Sequence, residues 1–136
     1  MNSNLKFHHV GIATKSIDKS TKMYAQLGYI ASETVVEISQ NVKICFLTKE
    51  DSPILELVEP LNAESPVTRM VTQSGTTPYH TCYEVKDINA AVEELEDMNF
   101  RPLFEPMQSD AMMNGLICYL FADGIGLIEL YEPAIK

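Results

Sequence analysis

Apolar positions recur with two different periods along this 136-residue chain, and each change of period marks an element. Alternation from Phe7 to Thr14 predicts a strand with Phe7, His9, Gly11 and Ala13 on one face and His8, Val10 and Ile12 on the other. Ser16 then stands as an N-cap before Ile17, Thr21, Tyr24 and Leu27 at helical spacing, and Gly28 provides the left-handed stop. Val35 to Ile38 and Val42 to Leu47 read as strands joined by the turn-forming Ser39-Gln40-Asn41. The polar hairpin Lys49-Glu50-Asp51-Ser52-Pro53 leads into a further strand, Leu55-Glu56-Leu57-Val58-Glu59-Pro60. This portion therefore runs strand, helix, strand, strand, strand.

Asn62 to Pro78 connects it to the rest, with Ser65-Pro66 signalling a short helix through Val67, Met70 and Val71 that Gly75 closes. The same order then returns. Pro78 to Val85 alternates as a strand with His80, Cys82 and Glu84 on one side. Asp87 caps a helix whose Ile88, Ala91, Val92 and Leu95 form one apolar stripe, and Asn99 stands where the first copy has Gly28. After Arg101 to Glu105, Pro106 to Gly115 reads as a loop, and Leu116 to Phe121 and Gly126 to Tyr131 read as the last strands. Residue identities repeat as well as periods. Ile44-Cys45-Phe46-Leu47 matches Ile117-Cys118-Tyr119-Leu120 at a spacing of 73, and Ile128-Glu129-Leu130-Tyr131-Glu132-Pro133 restates the Glu56 strand at that same spacing. The economical organisation is one domain, 1–136, made of a module at 5–60, a connector at 61–77 and a second module at 78–133.

The repeated strand carries the candidate chemistry. Alternation puts Glu56 on the side of Ile54 and Val58, and Glu129 on the side of Leu127 and Tyr131, so each carboxylate is aimed at an apolar face. Taking an ionised carboxylate out of water costs several kcal/mol unless a cation or a set of donors meets it. Each glutamate has a histidine upstream on a comparable strand, His9 and His80, and these lie 71 residues apart. Two imidazoles and two carboxylates suit a borderline or hard divalent ion: nickel, zinc or cobalt, with manganese and iron also within range. His8 falls on the opposite face, and Glu59 and Glu132 read as strand-end surface groups.

Composition narrows the partners. A net charge of −9, a pI near 4.7 and the absence of any Lys/Arg cluster make nucleic acid and anionic membrane poor partners and leave a small molecule as the expected one. No apolar run approaches the length of a spanning helix, and a cytoplasmic location is expected. Cys45, Cys82 and Cys118 lack CxxC spacing, so packing is the expectation rather than a disulfide framework or thiolate site.

With this constellation the chain resembles the vicinal oxygen chelate superfamily, the glyoxalase, bleomycin-resistance and dioxygenase group. The resemblance rests on His9-Val10-Gly11-Ile12-Ala13, on His80-Thr81-Cys82-Tyr83-Glu84-Val85 with Asp87-Ile88, and on the two Glu-Leu-x-Glu-Pro strands. It implies an α+β fold in which two βαβββ modules form an open, curved mixed β-sheet barrel around a metal site, helices outside. It also implies a homodimer and a ligand set of His9, Glu56, His80 and Glu129.

Within the superfamily the chain is similar to bacterial glyoxalase I and to methylmalonyl-CoA epimerase. Glyoxalase I has His, Glu, His, Glu at the ligand positions. An epimerase needs a second carboxylate base, expected just before the Val42 to Leu47 strand, where this chain has Ser39-Gln40-Asn41. The resemblance therefore implies a glyoxalase I-like enzyme of the lactoylglutathione lyase type. It would isomerise the hemithioacetal of an α-oxoaldehyde and a thiol such as glutathione through an enediolate. Glu129 would be the base and Glu56 the alternative base. An acyl-CoA epimerase is the second reading, and a non-catalytic drug-binding resistance protein the reading of another class. The Met-bearing stretch Asp110 to Gly115, with Gly115 as hinge, is the candidate lid.

Overall fold

The structure, a computed structural model, describes residues 4–135. The described residues divide into two compact units, one of His9–Tyr79 and the other of residues 4–8 together with 80–135. Each unit carries a mixed sheet with a helix against one face.

The His9–Tyr79 unit contains most of β1 (Lys6–Ala13), then α1 (Ile17–Ala25), β2 (Ile30–Ala31), β3 (Val35–Glu37), β4 (Val42–Thr48), β5 (Ile54–Pro60) and α2 (Thr68–Ser74). Its strand order is β2-β4-β5-β1, with β3 also pairing β4. β1 and β5 are parallel and the other pairs antiparallel. Alternation decides what lies under the helix: Ile12, Ile17, Cys45, Leu47 and Leu57 form a buried cluster with Val10, Tyr24, Tyr29 and Leu55 around it. The residues between these on the same strands, His9, Phe46 and Glu56, consequently present to the other face of the sheet.

The second unit repeats the plan with most of β6 (Thr77–Glu84), then α3 (Ile88–Asp97), β7 (Arg101–Pro102), β8 (Met107–Ser109), β9 (Gly115–Ala122) and β10 (Gly126–Glu132). The order is β6-β10-β9-β7, with β8 pairing β9 and β6 parallel to β10. Ile88, Ala91, Val92 and Leu95 of α3 pack on Cys118, Leu120, Ile128 and Leu130, and Leu5 from the start of the chain joins the rim of that cluster. The chain thus has the α+β class and the two βαβββ modules that the repeat predicts.

Several local expectations change. Ser39-Gln40-Asn41 is part of a 3-10 turn, Ile38–Gln40, closed by Asn41 in the left-handed region at φ 59°. Its counterpart, Asp110–Met112, follows β8, so Pro106 to Gly115 is ordered ladder and turn where the pattern predicts a loop. Short two- and three-residue strands carry too few alternating positions to be seen in sequence. Gly115 is not a hinge: it opens β9, and a Cβ there would meet a Tyr131 ring carbon at 2.5 Å and the Glu132 carbonyl oxygen at 2.7 Å. The glycine is required by close packing. α2 starts at Thr68, and Ser65 instead accepts from the Val67 N–H at 3.3 Å.

Glu59 and Glu132 are also more than surface groups. The Ile17 N–H donates to Glu59 Oε1 at 2.7 Å, and the Ile88 N–H donates to Glu132 Oε1 at 2.9 Å. Each carboxylate satisfies an amide at the first turn of its module's helix, where the helix dipole favours negative charge.

Candidate active site

In the first unit, parallel pairing sets Gly11 directly opposite Glu56 and His9 opposite Ile54. Gly11 has no side chain, so the Glu56 carboxylate can lean diagonally over it. Its Oε1 lies 3.3 Å from His9 Nε2. On the other side, antiparallel pairing sets Phe46 opposite Glu56, and the Phe46 ring meets His9 edge-on with centroids 5.6 Å apart. His9 is fully buried and Glu56 is 2% exposed.

The second unit rebuilds the arrangement with its own residues. Cys82, small and buried, takes the place of Gly11 opposite Glu129, and Tyr119 takes the place of Phe46. Glu129 Oε1 lies 3.1 Å from His80 Nε2, and the Tyr119 ring meets His80 edge-on at 5.2 Å. All four predicted ligands are therefore buried and held in two matching His–Glu pairs. Donors bound to one ion at about 2.0–2.2 Å and roughly at right angles stand about 3 Å apart. Each separation fits ligation of a cation by the two members of that pair as well as a direct imidazole–carboxylate hydrogen bond. By donor chemistry and spacing, the residues present fit a divalent ion.

His8, on the opposite face, packs edge-on against Tyr131 at 5.3 Å. Cys45 and Cys118 pack as expected and share one more feature. Cys45 Sγ donates to the Ser32 carbonyl at 3.3 Å, and Cys118 Sγ donates to the Phe104 carbonyl at 3.1 Å. Burial and, after it, the nearby Glu96 push the Cys118 thiol up to about 11, which keeps it protonated and inert.

One buried carboxylate escapes the sequence reading. Glu37, the last residue of β3, is 1% exposed and lies opposite Val42, the first residue of β4. Gln40 Nε2 donates to its Oε2. The second unit has Ser109 at this point, equally buried and opposite Gly115. A carboxylate sought in the three residues before β4 is absent, but the 3-10 turn folds those residues out and brings Glu37 to the start of the strand. Alternation held the signal: Glu37 shares a face with Val35, as Glu56 does with Ile54.

Residues 8–119 match the family model of the Glyoxalase/Bleomycin resistance protein/Dioxygenase superfamily. The chain belongs to this superfamily. Among its relatives, human mitochondrial methylmalonyl-CoA epimerase is 31% identical over 108 residues, covering 78% of this chain and 61% of the human protein. The chain thus matches only about three fifths of that relative's length. The methylmalonyl-CoA epimerase of Dictyostelium discoideum is 33% identical over 131 residues, covering 93% of this chain and 78% of the relative. The crystal structure of methylmalonyl-CoA epimerase from Mycobacterium tuberculosis superposes with a TM-score of 0.87 at 26% identity, over 98% of this chain and 92% of that one.

These relatives overturn the glyoxalase I expectation and the lactoylglutathione lyase reaction, and they give the glutathione cosubstrate no support. The glyoxalase expectation leans on the lack of a carboxylate beside β4, and the structure has one there in the buried Glu37. Among the described residues, no helix is long and apolar enough to cross a membrane.

Proposed function

We propose that the chain is a metal-dependent acyl-CoA epimerase acting on a 2-alkylmalonyl thioester, with methylmalonyl-CoA as the first substrate to test. The observation that carries this reading is Glu37, a buried carboxylate beside the start of β4, in a fold whose relatives are epimerases. Inverting a carbon acid requires an acceptor on one face of the carbon and a donor on the other. In this reading His9, Glu56, His80 and Glu129 would hold one divalent ion, a set supported by their matched places in the two repeats. That ion, when bound, supplies Lewis acidity toward the substrate's adjacent oxygens.

The remaining work belongs to side chains of this chain. Glu37 takes the α-proton from one epimer, and Glu129 returns one to the opposite face; the reverse reaction exchanges their roles. Phe46 and Tyr119 shield the two histidines from solvent, which strengthens the electrostatic interactions around them. Gly11 and Cys82 leave room for the glutamates to reach inward.

The test is to load purified protein with cobalt, nickel, zinc or manganese in turn and follow single epimers of methylmalonyl-CoA in D2O. Inversion together with deuterium uptake at the α-carbon is expected, and Glu37→Gln should abolish inversion by at least 100-fold. Inversion at an undiminished rate in Glu37→Gln would remove Glu37 from the mechanism.

A further inference from the structure

The two modules differ at one matched place in a coordinated way. In the first, β3 ends on buried Glu37 and the following 3-10 turn ends on Gln40, whose amide donates to the Glu37 carboxylate. In the second, β8 ends on buried Ser109 and the following 3-10 turn ends on Met112, which is 4% exposed. Where the carboxylate is absent, the amide is absent too, and an apolar side chain of similar length fills the turn.

The turn is also built to hold its shape. Asn41 closes it with its N–H on the Ile38 carbonyl at 3.0 Å, and the Asn41 carbonyl accepts the Leu61 N–H at 3.1 Å. Asn41 Nδ2 donates to Asn62 Oδ1 at 2.8 Å, and Asn62 Nδ2 donates back to Asn41 Oδ1 at 3.2 Å. Gln40 therefore approaches Glu37 from a backbone fastened to the end of β5. A terminal carboxylate otherwise rotates through a broad range about its last torsion.

We infer that Gln40 is a positioning residue for the epimerisation: it occupies Glu37 Oε2 and fixes the carboxylate plane so that proton transfer is aimed at one face of the substrate. This rests on the epimerase reading above. Proton transfer depends on a heavy-atom separation within hydrogen-bond reach and on alignment, so releasing the carboxylate slows the step without removing the base.

The variant to make is Gln40→Met, which installs the second module's residue at nearly the same side-chain length, with Gln40→Ala as a second variant should Gln40→Met not fold. Each is compared with wild-type protein using both epimers of methylmalonyl-CoA in D2O, with the metal that supports wild-type turnover. We expect kcat for epimerisation to fall on the order of tenfold or more while KM stays within about twofold. Deuterium uptake should fall for the epimer whose proton faces Glu37 and persist for the other, because Glu129 still removes that proton. General damage to the site would slow both exchanges together. Equal loss of both exchanges, or unchanged kcat, overturns the role of Gln40 alone. A wild-type protein that exchanges neither epimer overturns the epimerase reading, and this inference with it.

Discussion

A glutamate can be a structural prop, a ligand or a base, and those of this chain meet different neighbours. Glu59 and Glu132 each meet a helix amide, Glu56 and Glu129 each meet an imidazole, and Glu37 meets a neutral amide donor. The cysteines are sorted by the same logic. Cys118 is raised to about 11, above the ordinary value of a thiol, first by burial and then by Glu96. Its folded-state value exceeds its unfolded one, so the stability it contributes is full below the unfolded value and is lost as pH climbs through the folded one. Native protein should therefore resist thiol alkylation at Cys118 up to about pH 9. Denaturant midpoints should decline between about pH 9 and 11. A Cys118→Ala variant showing the same decline would assign the effect elsewhere.

At the scale of the element, each module's helix is tied to the end of its own parallel strand by one carboxylate. Glu59 accepts from the first helical residue of α1 and also pairs with Lys43 at 3.3 Å, but Lys43 is 41% exposed and that ion pair adds little. Removing the cap leaves a helix N–H without its acceptor beside the positive end of the dipole. Glu59→Ala and Glu132→Ala should each cost about 1–2 kcal/mol in urea melts, whereas Lys43→Ala should cost under about 0.5 kcal/mol. Gly115 sets a second element-scale constraint. Gly115→Ala presses a methyl against the Tyr131 ring and the Glu132 carbonyl and should destabilise by about 1–3 kcal/mol. Because Glu132 caps α3, this substitution should also loosen that helix, which amide exchange at Ile88 would report.

For the whole molecule, the proposed metal set draws one His–Glu pair from each repeat. Sharing has a direct stoichiometric consequence: one divalent ion per chain, lost on either His9→Gln or His80→Gln. Two independent sites would instead leave one ion in each variant. Binding to the native state alone also raises stability by mass action, about 2.7 kcal/mol at a free concentration a hundred times Kd. The melting temperature should accordingly rise with added metal and fall on chelation, and the two histidine variants should no longer respond.

Much of this is legible in the sequence alone. Period-two and period-3.6 patterns located the long strands and both helices of the repeat, and matched residues at a spacing of 73 exposed the duplication and its two inward glutamates. These are properties of single strands and single helices, whose side-chain directions follow from local backbone geometry. The roles of Glu37, Glu59, Glu132 and Gly115 were not legible, because each depends on a partner brought close by pairing or packing across many residues. A carboxylate next to β4 in space belongs to β3 in sequence, and a helix cap comes from a strand more than forty residues further on. The chain by itself determined which groups face inward; only the tertiary structure decided what each one meets there, because hydrogen bonds and steric contacts act over a few ångströms whatever the separation along the backbone.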